Sequence, residues 1–198
     1  MTAAIILAAG ESSRLGKPKQ NLLFNGQTLL QRAVGTAKKT NCKPIIVVLG
    51  ANADKIAPLS GIITLYNEDW KEGMASSIRM AIQEIEKDDL INDAIIMLCD
   101  QPFVNVDLID EMLQKKADSQ SQIVACGYNN TVGVPALFDK SLFIELSSLS
   151  GNEGAKKIIM DHFNNITLVP FDLGSVDIDT IADYERLINL QDNRGSRH

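Results

Sequence analysis

Short apolar runs alternate along this chain with segments whose apolar positions recur every three or four residues. Residues 2–8, 43–49, 62–66 and 94–98 are rich in Ile, Val and Leu and read as strands, with 123–126 and 166–169 as weaker ones. Between them Leu29, Leu30, Ala33, Val34 and Ala37 fall at helical spacing, as do Ile78, Ala81, Ile82 and Ile85. Leu108, Ile109 and Met112 mark a third helix, Ile158 and Ile159 a fourth, and residues 181–190 a last one. Residues 132–138 are a candidate further strand, with antiparallel pairing open to it. Strands without polar alternation, separated by helices, predict a mostly parallel sheet covered on both faces, an α/β fold.

In such sheets ligands bind beyond the carboxyl ends of the strands, near the point where strand order reverses. Three segments lie there. The first is Ile5-Ile6-Leu7-Ala8-Ala9-Gly10-Glu11-Ser12-Ser13-Arg14-Leu15-Gly16-Lys17-Pro18-Lys19. Small residues let backbone N–H groups approach a polyphosphate, and Arg14, Lys17 and Lys19 neutralise it. The chain as a whole is acidic, with a formal charge of −6, so this cationic cluster is no by-product of composition. A P-loop does not fit: five residues separate Gly10 from Gly16, and Lys17 is followed by Pro18 rather than a hydroxyl residue. A dinucleotide fingerprint lacks its third glycine, and Pro18 opposes a helix through the loop. An ordinary glycine-containing turn is the remaining alternative.

Asp100 closes the run 94–99 and precedes Gln101-Pro102. A carboxylate at a buried strand tip suits a hard ion such as Mg²⁺, and a turn-capping Asp is the alternative. Asp177-Ile178-Asp179-Thr180 precedes the last helix, where Asp179 or Thr180 serves equally as N-cap with Asp183 completing a capping pair. Asp177 and Asp179 are taken to alternate on an extended segment so that only one faces inward. In Asn67-Glu68-Asp69-Trp70-Lys71-Glu72-Gly73-Met74-Ala75-Ser76-Ser77-Ile78, Gly73 permits close backbone approach and the serines offer hydroxyls at a helix start. As bare chemistry that segment is a capped helix, with Trp70 as a packed loop anchor.

Taken together these segments resemble the MobA-like nucleotidyltransferase superfamily, whose Leu-Ala-Ala-Gly or Leu-Ala-Gly-Gly loop leads to an Arg and then a Lys. Within it the chain looks most similar to the molybdenum cofactor cytidylyltransferases, the MocA-like proteins. Asp100-Gln101-Pro102 matches a family motif whose aspartate binds metal, and the 67–78 segment matches the loop that contacts base and ribose. Gly133-Val134-Pro135-Ala136-Leu137-Phe138 and Leu149-Ser150-Gly151-Asn152-Glu153-Gly154-Ala155 match segments that border the acceptor. Gly151 and Gly154 there suit an anion-friendly turn or an ordinary loop equally well. Asn152 departs from the Asp that relatives often carry.

The resemblance implies a single-domain Rossmann-like three-layer α/β/α sandwich of the nucleotide-diphospho-sugar transferase type over residues 1–192, while residues 193–198, polar and without periodicity, read as a frayed tail or tag remnant. It implies transfer of CMP from CTP, or of another nucleotide from its NTP, to the phosphate of a molybdopterin-type acceptor with release of pyrophosphate. A molybdenum-dependent oxidoreductase is an implied partner. Mg²⁺ would sit on Asp100 and Asp179, the latter chosen over Asp177 as the neighbour of Thr180. Leu7, Ala8, Ala9, Gly10, Arg14, Lys19, Gly73, Met74 and Ser77 would bind the nucleotide, with Arg14 and Lys19 stabilising the leaving group. GTP as donor, a sugar or polyol phosphate as acceptor, and a non-catalytic cofactor chaperone are the alternatives.

Composition narrows this little further. At 198 residues the chain suits one domain. No apolar run approaches the ~20 residues of a membrane span, and the first residues lack the basic start of a secretory signal. Three widely spaced cysteines predict reduced thiols and a cytoplasmic setting. A sequence pI of about 4.9 gives no case for nucleic-acid binding. Lys19 is expected to be exposed, with little weight in folding.

Overall fold

Residues Ala3 to Ala8 are buried on both faces, which marks their strand as an interior member of a parallel sheet. The structure, a computed structural model, describes residues 1–195. Its first elements are β1 (Thr2–Ala8), the two-residue strands β2 (Leu23–Phe24) and β3 (Gln27–Thr28), α1 (Leu29–Lys38), β4 (Ile45–Leu49) and β5 (Ile63–Tyr66). Then come α2 (Met74–Ile85), β6 (Asp93–Leu98), α3 (Val106–Asp118), β7 (Ile123–Tyr128) and β8 (Thr131–Asp139). The chain continues through α4 (Phe143–Ser147), α5 (Ala155–Asp161), β9 (Ile166–Pro170) and α6 (Ile181–Gly195).

Seven strands form one sheet in the order β5-β4-β1-β6-β8-β7-β9. The four from β5 to β6 are mutually parallel, β8 runs antiparallel to both its neighbours, and β9 pairs parallel to β7. From β1 the chain moves outward to β4 and β5, then returns to the other side of β1 as β6. Strand order therefore reverses between β1 and β6, and the crevice at their carboxyl ends is where such a sheet binds ligands. β4 starts at Ile45 rather than at residue 43, because Pro44 has no N–H for the ladder.

The period of two along β1 divides the core. Ala3, Ile5 and Leu7 face one layer, which contains the buried stripe Ile78, Ala81, Ile82 and Ile85 of α2 together with α4 and α5. Ala4, Ile6 and Ala8 face the other, where α1 and α3 pack. Thr28 begins α1 with a full capping box, its hydroxyl accepting from Gln31 N–H and the Gln31 side chain accepting from Thr28 N–H.

A third cluster stands apart from the sheet: Leu15, Leu22, Phe24, Leu29, Ile178 and Leu187, with Phe103 and Tyr184 against it. It packs under the β2–β3 hairpin, whose Asn25-Gly26 turn has both residues at positive φ. Neither this hairpin nor α4 was anticipated from periodicity, since each is too short to show one. The last helix runs to Gly195, so 193–195 continue it instead of forming a tail, while 196–198 lie outside the described residues.

Ile82 is fully buried between α2 and the sheet. Ile82→Ala is expected to cost about 2–4 kcal/mol through lost burial and the cavity left behind. Urea denaturation followed by circular dichroism measures it, and an unchanged midpoint would show that α2 is not seated on the sheet.

Candidate functional site

The chain leaves β1 through small, buried Ala8 and Ala9, then doubles back. Gln20 holds this turn: its Nε2 donates to Ala8 O at 2.6 Å and Gly10 O at 3.3 Å. Ser12 sits in the left-handed region at φ 59° and its Oγ accepts from Lys19 N–H at 3.1 Å. Leu15 anchors the middle of the loop in the third cluster. Only 3₁₀ turns occur here, at Ser13–Leu15 and Lys19–Asn21, as Pro18 requires. The loop thus presents Lys19 at the carboxyl end of β6.

There Lys19 Nζ lies 2.6 Å from Asp100 Oδ2 and 2.9 Å from Asp179 Oδ1. Arg14 reaches the other oxygen of Asp179 at 3.0 Å. The Lys19 and Asp100 side chains are 15% and 13% exposed, against 69% for Arg14, so the Lys19–Asp100 pair is a largely desolvated contact and the Arg14 pair a wet one. Burial works against the Lys19 ammonium, but Asp100 and then Asp179 outweigh it and raise its pKa. The hydrogen bond from Lys19 holds Asp179 below the usual carboxylate range.

Asp100 Oδ1 is buried and has no partner among the described residues. A buried carboxylate oxygen without a donor fits a cation, and Asp100 with Asp179 offers the hard oxygens that Mg²⁺ or Mn²⁺ takes. No group of three or more His, Cys, Asp or Glu side chains is gathered into a metal cage among the described residues.

Of the two aspartates, Asp179 is half-buried and bonded to Lys19 and Arg14, whereas Asp177 is exposed. Ile178 between them is fully buried in the third cluster. Asp177 has its carboxyl raised by partial desolvation and by the nearby Asp100 and Asp179 charges. Thr180, not Asp179, caps α6: its Oγ1 accepts from Asp183 N–H at 3.2 Å while Asp183 accepts from Thr180 N–H at 2.9 Å.

The opposite wall comes from the segment before α2. Asn67 is buried and its Nδ2 donates to Ser76 Oγ at 2.8 Å and Ser77 Oγ at 2.9 Å, pinning the helix start to the end of β5. Gly73, at φ 127°, packs so tightly against Gly151 that a Cβ would collide with the Gly151 carbonyl oxygen. Between the walls lies a cavity of about 390 Å³. Leu7, Ala8, Ala9, Gly10, Lys19, Gly73, Met74, Ser77 and Asp100 all line it, joined by Trp70 and Asn152.

Arg14 and Asp179 do not line the cavity and connect to it through Lys19. Trp70 is both loop anchor and cavity wall, partly buried against the α2 layer with Lys71 over its ring at 5.6 Å. Lys17 turns away, its Nζ 5.2 Å from the centre of the Tyr184 ring. Gly151 and Gly154 precede α5, a helix of 7 residues. Buried Gln20, Asn67 and Gln101, at 1%, 3% and 7% exposure, were missed by sequence reasoning. Their signal was available, since each amide stands beside a charged residue already singled out or opens a segment already singled out.

A family model described as the MobA-like NTP transferase domain matches residues 4–166. The chain belongs to that family. A nicotine blue oxidoreductase from Paenarthrobacter nicotinovorans is 28% identical over 198 residues, spanning 93% of this chain and 95% of its own length. Rv0371c from Mycobacterium tuberculosis H37Rv superposes with a TM-score of 0.84 at 29% identity, covering 96% of this chain and 98% of that one. A structure of Rv0371c in complex with manganese gives 0.80 at 27% identity, covering 95% and 98%.

The largely buried setting of Lys19 overturns the expectation that its loss leaves folding unaltered. Lys19→Ala removes the cation shared by two carboxylates and is expected to cost about 1–3 kcal/mol, lowering Tm by several degrees. Mn²⁺ added to the variant should restore part of that loss. Asp179, depressed by Lys19, contributes stability above the ordinary carboxylate range and loses it as pH falls through its lowered pKa. The acid limb of Lys19→Ala stability should therefore be flatter than that of wild type. A wild-type Tm and acid limb would show that Lys19 is not holding the carboxylates.

Proposed function

We propose that this member of the MobA-like NTP transferase family is a nucleotidyltransferase that moves CMP from CTP to the phosphate of a molybdopterin-type cofactor and releases pyrophosphate. The observation that carries the reading is the Lys19–Asp100–Asp179 cluster at the mouth of a cavity walled by the Leu7–Gly10 loop and by Gly73, Met74 and Ser77. The choice of CTP and of a molybdopterin-type acceptor rests on the MocA-like spelling of the 5–19, 67–78 and 100–102 segments. The manganese complex of Rv0371c supports a divalent ion.

An oxygen of the acceptor phosphomonoester attacks the α-phosphorus of CTP as the bond to the oxygen bridging the β-phosphate breaks. CMP is joined to the acceptor through a new diphosphate, and pyrophosphate leaves with the electron pair. A phosphomonoester with a second pKa of about 6 is mostly dianionic at neutral pH, so no side chain has to take its proton. Lys19 holds phosphate oxygens and offsets charge on the leaving group from a nearly dry position. Arg14, exposed at the rim, is free to turn toward the triphosphate. Mg²⁺ held by Asp100 and Asp179 would supply further charge neutralisation at the phosphates. The small residues of the Leu7–Gly10 loop and Ser77 set where base and ribose lie.

Pyrophosphate release with CTP, GTP, ATP and UTP against molybdopterin and a panel of sugar and polyol phosphates tests the reading. CTP with molybdopterin is expected to be fastest. Preference for GTP or for a sugar phosphate overturns the substrate assignment and leaves nucleotidyl transfer. Tight cofactor binding with no pyrophosphate points to a chaperone. The nicotine blue oxidoreductase relative carries a redox name, and reductant-dependent turnover of nicotine blue in a separate assay, without pyrophosphate release here, would favour that activity instead.

The carboxylates separate by substitution. Asp100→Asn is expected to be nearly inactive, since a neutral amide is a poor ligand for a hard ion. Asp179→Ala should lower kcat by orders of magnitude. Asp177→Ala should keep most activity and melt no lower than wild type at pH 7, because ionising its raised carboxyl disfavours the fold above the ordinary carboxylate pKa. Kinetics at saturating metal and NTP with parallel melts decide this, and a dead Asp177→Ala beside an active Asp179→Ala would reverse the two roles.

A further inference from the structure

Gln101 follows Asp100 at the end of β6, and its buried side chain bridges two other segments. Nε2 donates to Val134 O on β8 at 3.0 Å and to Gly174 O at 3.2 Å. Gly174 lies in the Asp172–Ser175 turn that leads into the aspartate segment. Two carbonyl oxygens facing one end of the side chain require a donor group there. A carboxylate would repel both, and an apolar group would leave both without this partner. Oε1 is buried and unpartnered among the described residues, so the amide keeps one acceptor idle to make the two donor contacts.

The turn is fixed from its far side as well. Gly174 N–H donates to Phe171 O at 2.7 Å, and Phe171 N–H to Gly127 O at 2.9 Å on β7. Gly174 is buried against the Tyr128 and Phe171 rings, and a Cβ there would strike both. Downstream, Ile178 is sunk in the third cluster and Thr180 caps α6. Among the described residues, two side chains link the β6 terminus to this segment by hydrogen bonds: Lys19 through Asp100 and Asp179, and Gln101 through Gly174. When substrate phosphate and a divalent ion compete for Lys19 and its carboxylates, only the Gln101 bridge is independent of that exchange.

Resting on the metal reading above, we propose that Gln101 is a positioning residue that sets the aspartate segment at the spacing from Asp100 that lets Asp100 and Asp179 share one divalent ion. It touches neither the ion nor the reacting phosphates. Its amide fixes the register of the loop, and through it the approach of the second carboxylate.

The test uses Gln101→Met, which keeps length without donors, and Gln101→Glu, which keeps shape and places a charge against two carbonyl oxygens. Mn²⁺ binding to each is measured by electron paramagnetic resonance beside wild type and Asp100→Asn, and pyrophosphate release is followed as Mn²⁺ is varied. The Mn²⁺ dissociation constant is expected to rise about tenfold or more in both Gln101 variants, as for other residues that orient metal ligands. At saturating NTP, kcat should fall far more than KM for the nucleotide changes, with near-UV circular dichroism unaltered. Should Gln101→Met aggregate, Gln101→Glu carries the comparison alone. Mn²⁺ affinity within twofold of wild type overturns the proposal, as does a loss that merely tracks the folded fraction. If Asp100→Asn loses Mn²⁺ while the Gln101 variants keep it, only the role of Gln101 falls. If wild type binds no Mn²⁺, the carboxylate reading fails and the proposal with it.

Discussion

Like charges repel most strongly where water is scarce, and this chain brings Asp100 and Asp179 within reach of a single ammonium at the end of a buried sheet. Without Lys19 the two carboxylates would have to move apart, take up a proton or find another cation. The rest of the site follows from meeting that demand. The loop after β1 turns back through a left-handed Ser12 and a Gln20 clamp so that Lys19 arrives at the tip of β6. The same concentration of negative charge, already balanced by one movable cation, suits exchange with a metal-bound polyphosphate. Stability and substrate binding therefore draw on the same contact.

The sheet places those groups without contributing chemistry of its own. β1 and β6 pair from Thr2 with Asp93 to Leu7 with Leu98, which fixes the ends of the two strands relative to one another. Because strand order reverses between them, no crossover covers their carboxyl ends. The open crevice receives the Gly10 loop from one strand and Asp100 from the other. The antiparallel β8 on the far side of β6 brings Val134 close enough to accept from Gln101. An unbroken parallel sheet would put a strand running the other way at that place.

Legibility in the sequence followed the range of the physics involved. β1, α1 and α2 were plain because burial on both faces, or on one helical stripe, writes itself as composition and period. Leu7, Ala8, Ala9 and Gly10, and Gly73, Met74 and Ser77, which line the cavity, could likewise be singled out, since each group sits in one short stretch beyond a strand end. What stayed hidden were pairings between distant segments: Asn67 with the serines of α2, Gln20 with Ala8, Gln101 with Gly174. A buried amide has no period, and for Gln20 and Gln101 the partner is a backbone oxygen that any residue supplies. For the aspartate pair, buried Ile178 marks the apolar side of the segment, and the contact of Asp179 with Lys19 depends on a distant partner that no local pattern spells out.

The third cluster explains why the two charged loops act as one body. Leu15 comes from the cationic loop, Ile178 from the aspartate segment and Leu187 from the last helix, and all three are nearly or fully buried together. A shift of either loop that carried its anchor out of this cluster would expose apolar surface, at roughly 25 cal/mol per Å². Lys19 and Asp179 are therefore held near one another by apolar packing beneath them as well as by their mutual charge. Attraction alone would draw Lys19 toward whichever anion is strongest. With Leu15 and Ile178 pinned in a common core, the side chain of Lys19 is left to reorient while both backbones keep their places, which is the condition for passing a cation's partners from carboxylate to phosphate without rebuilding the site.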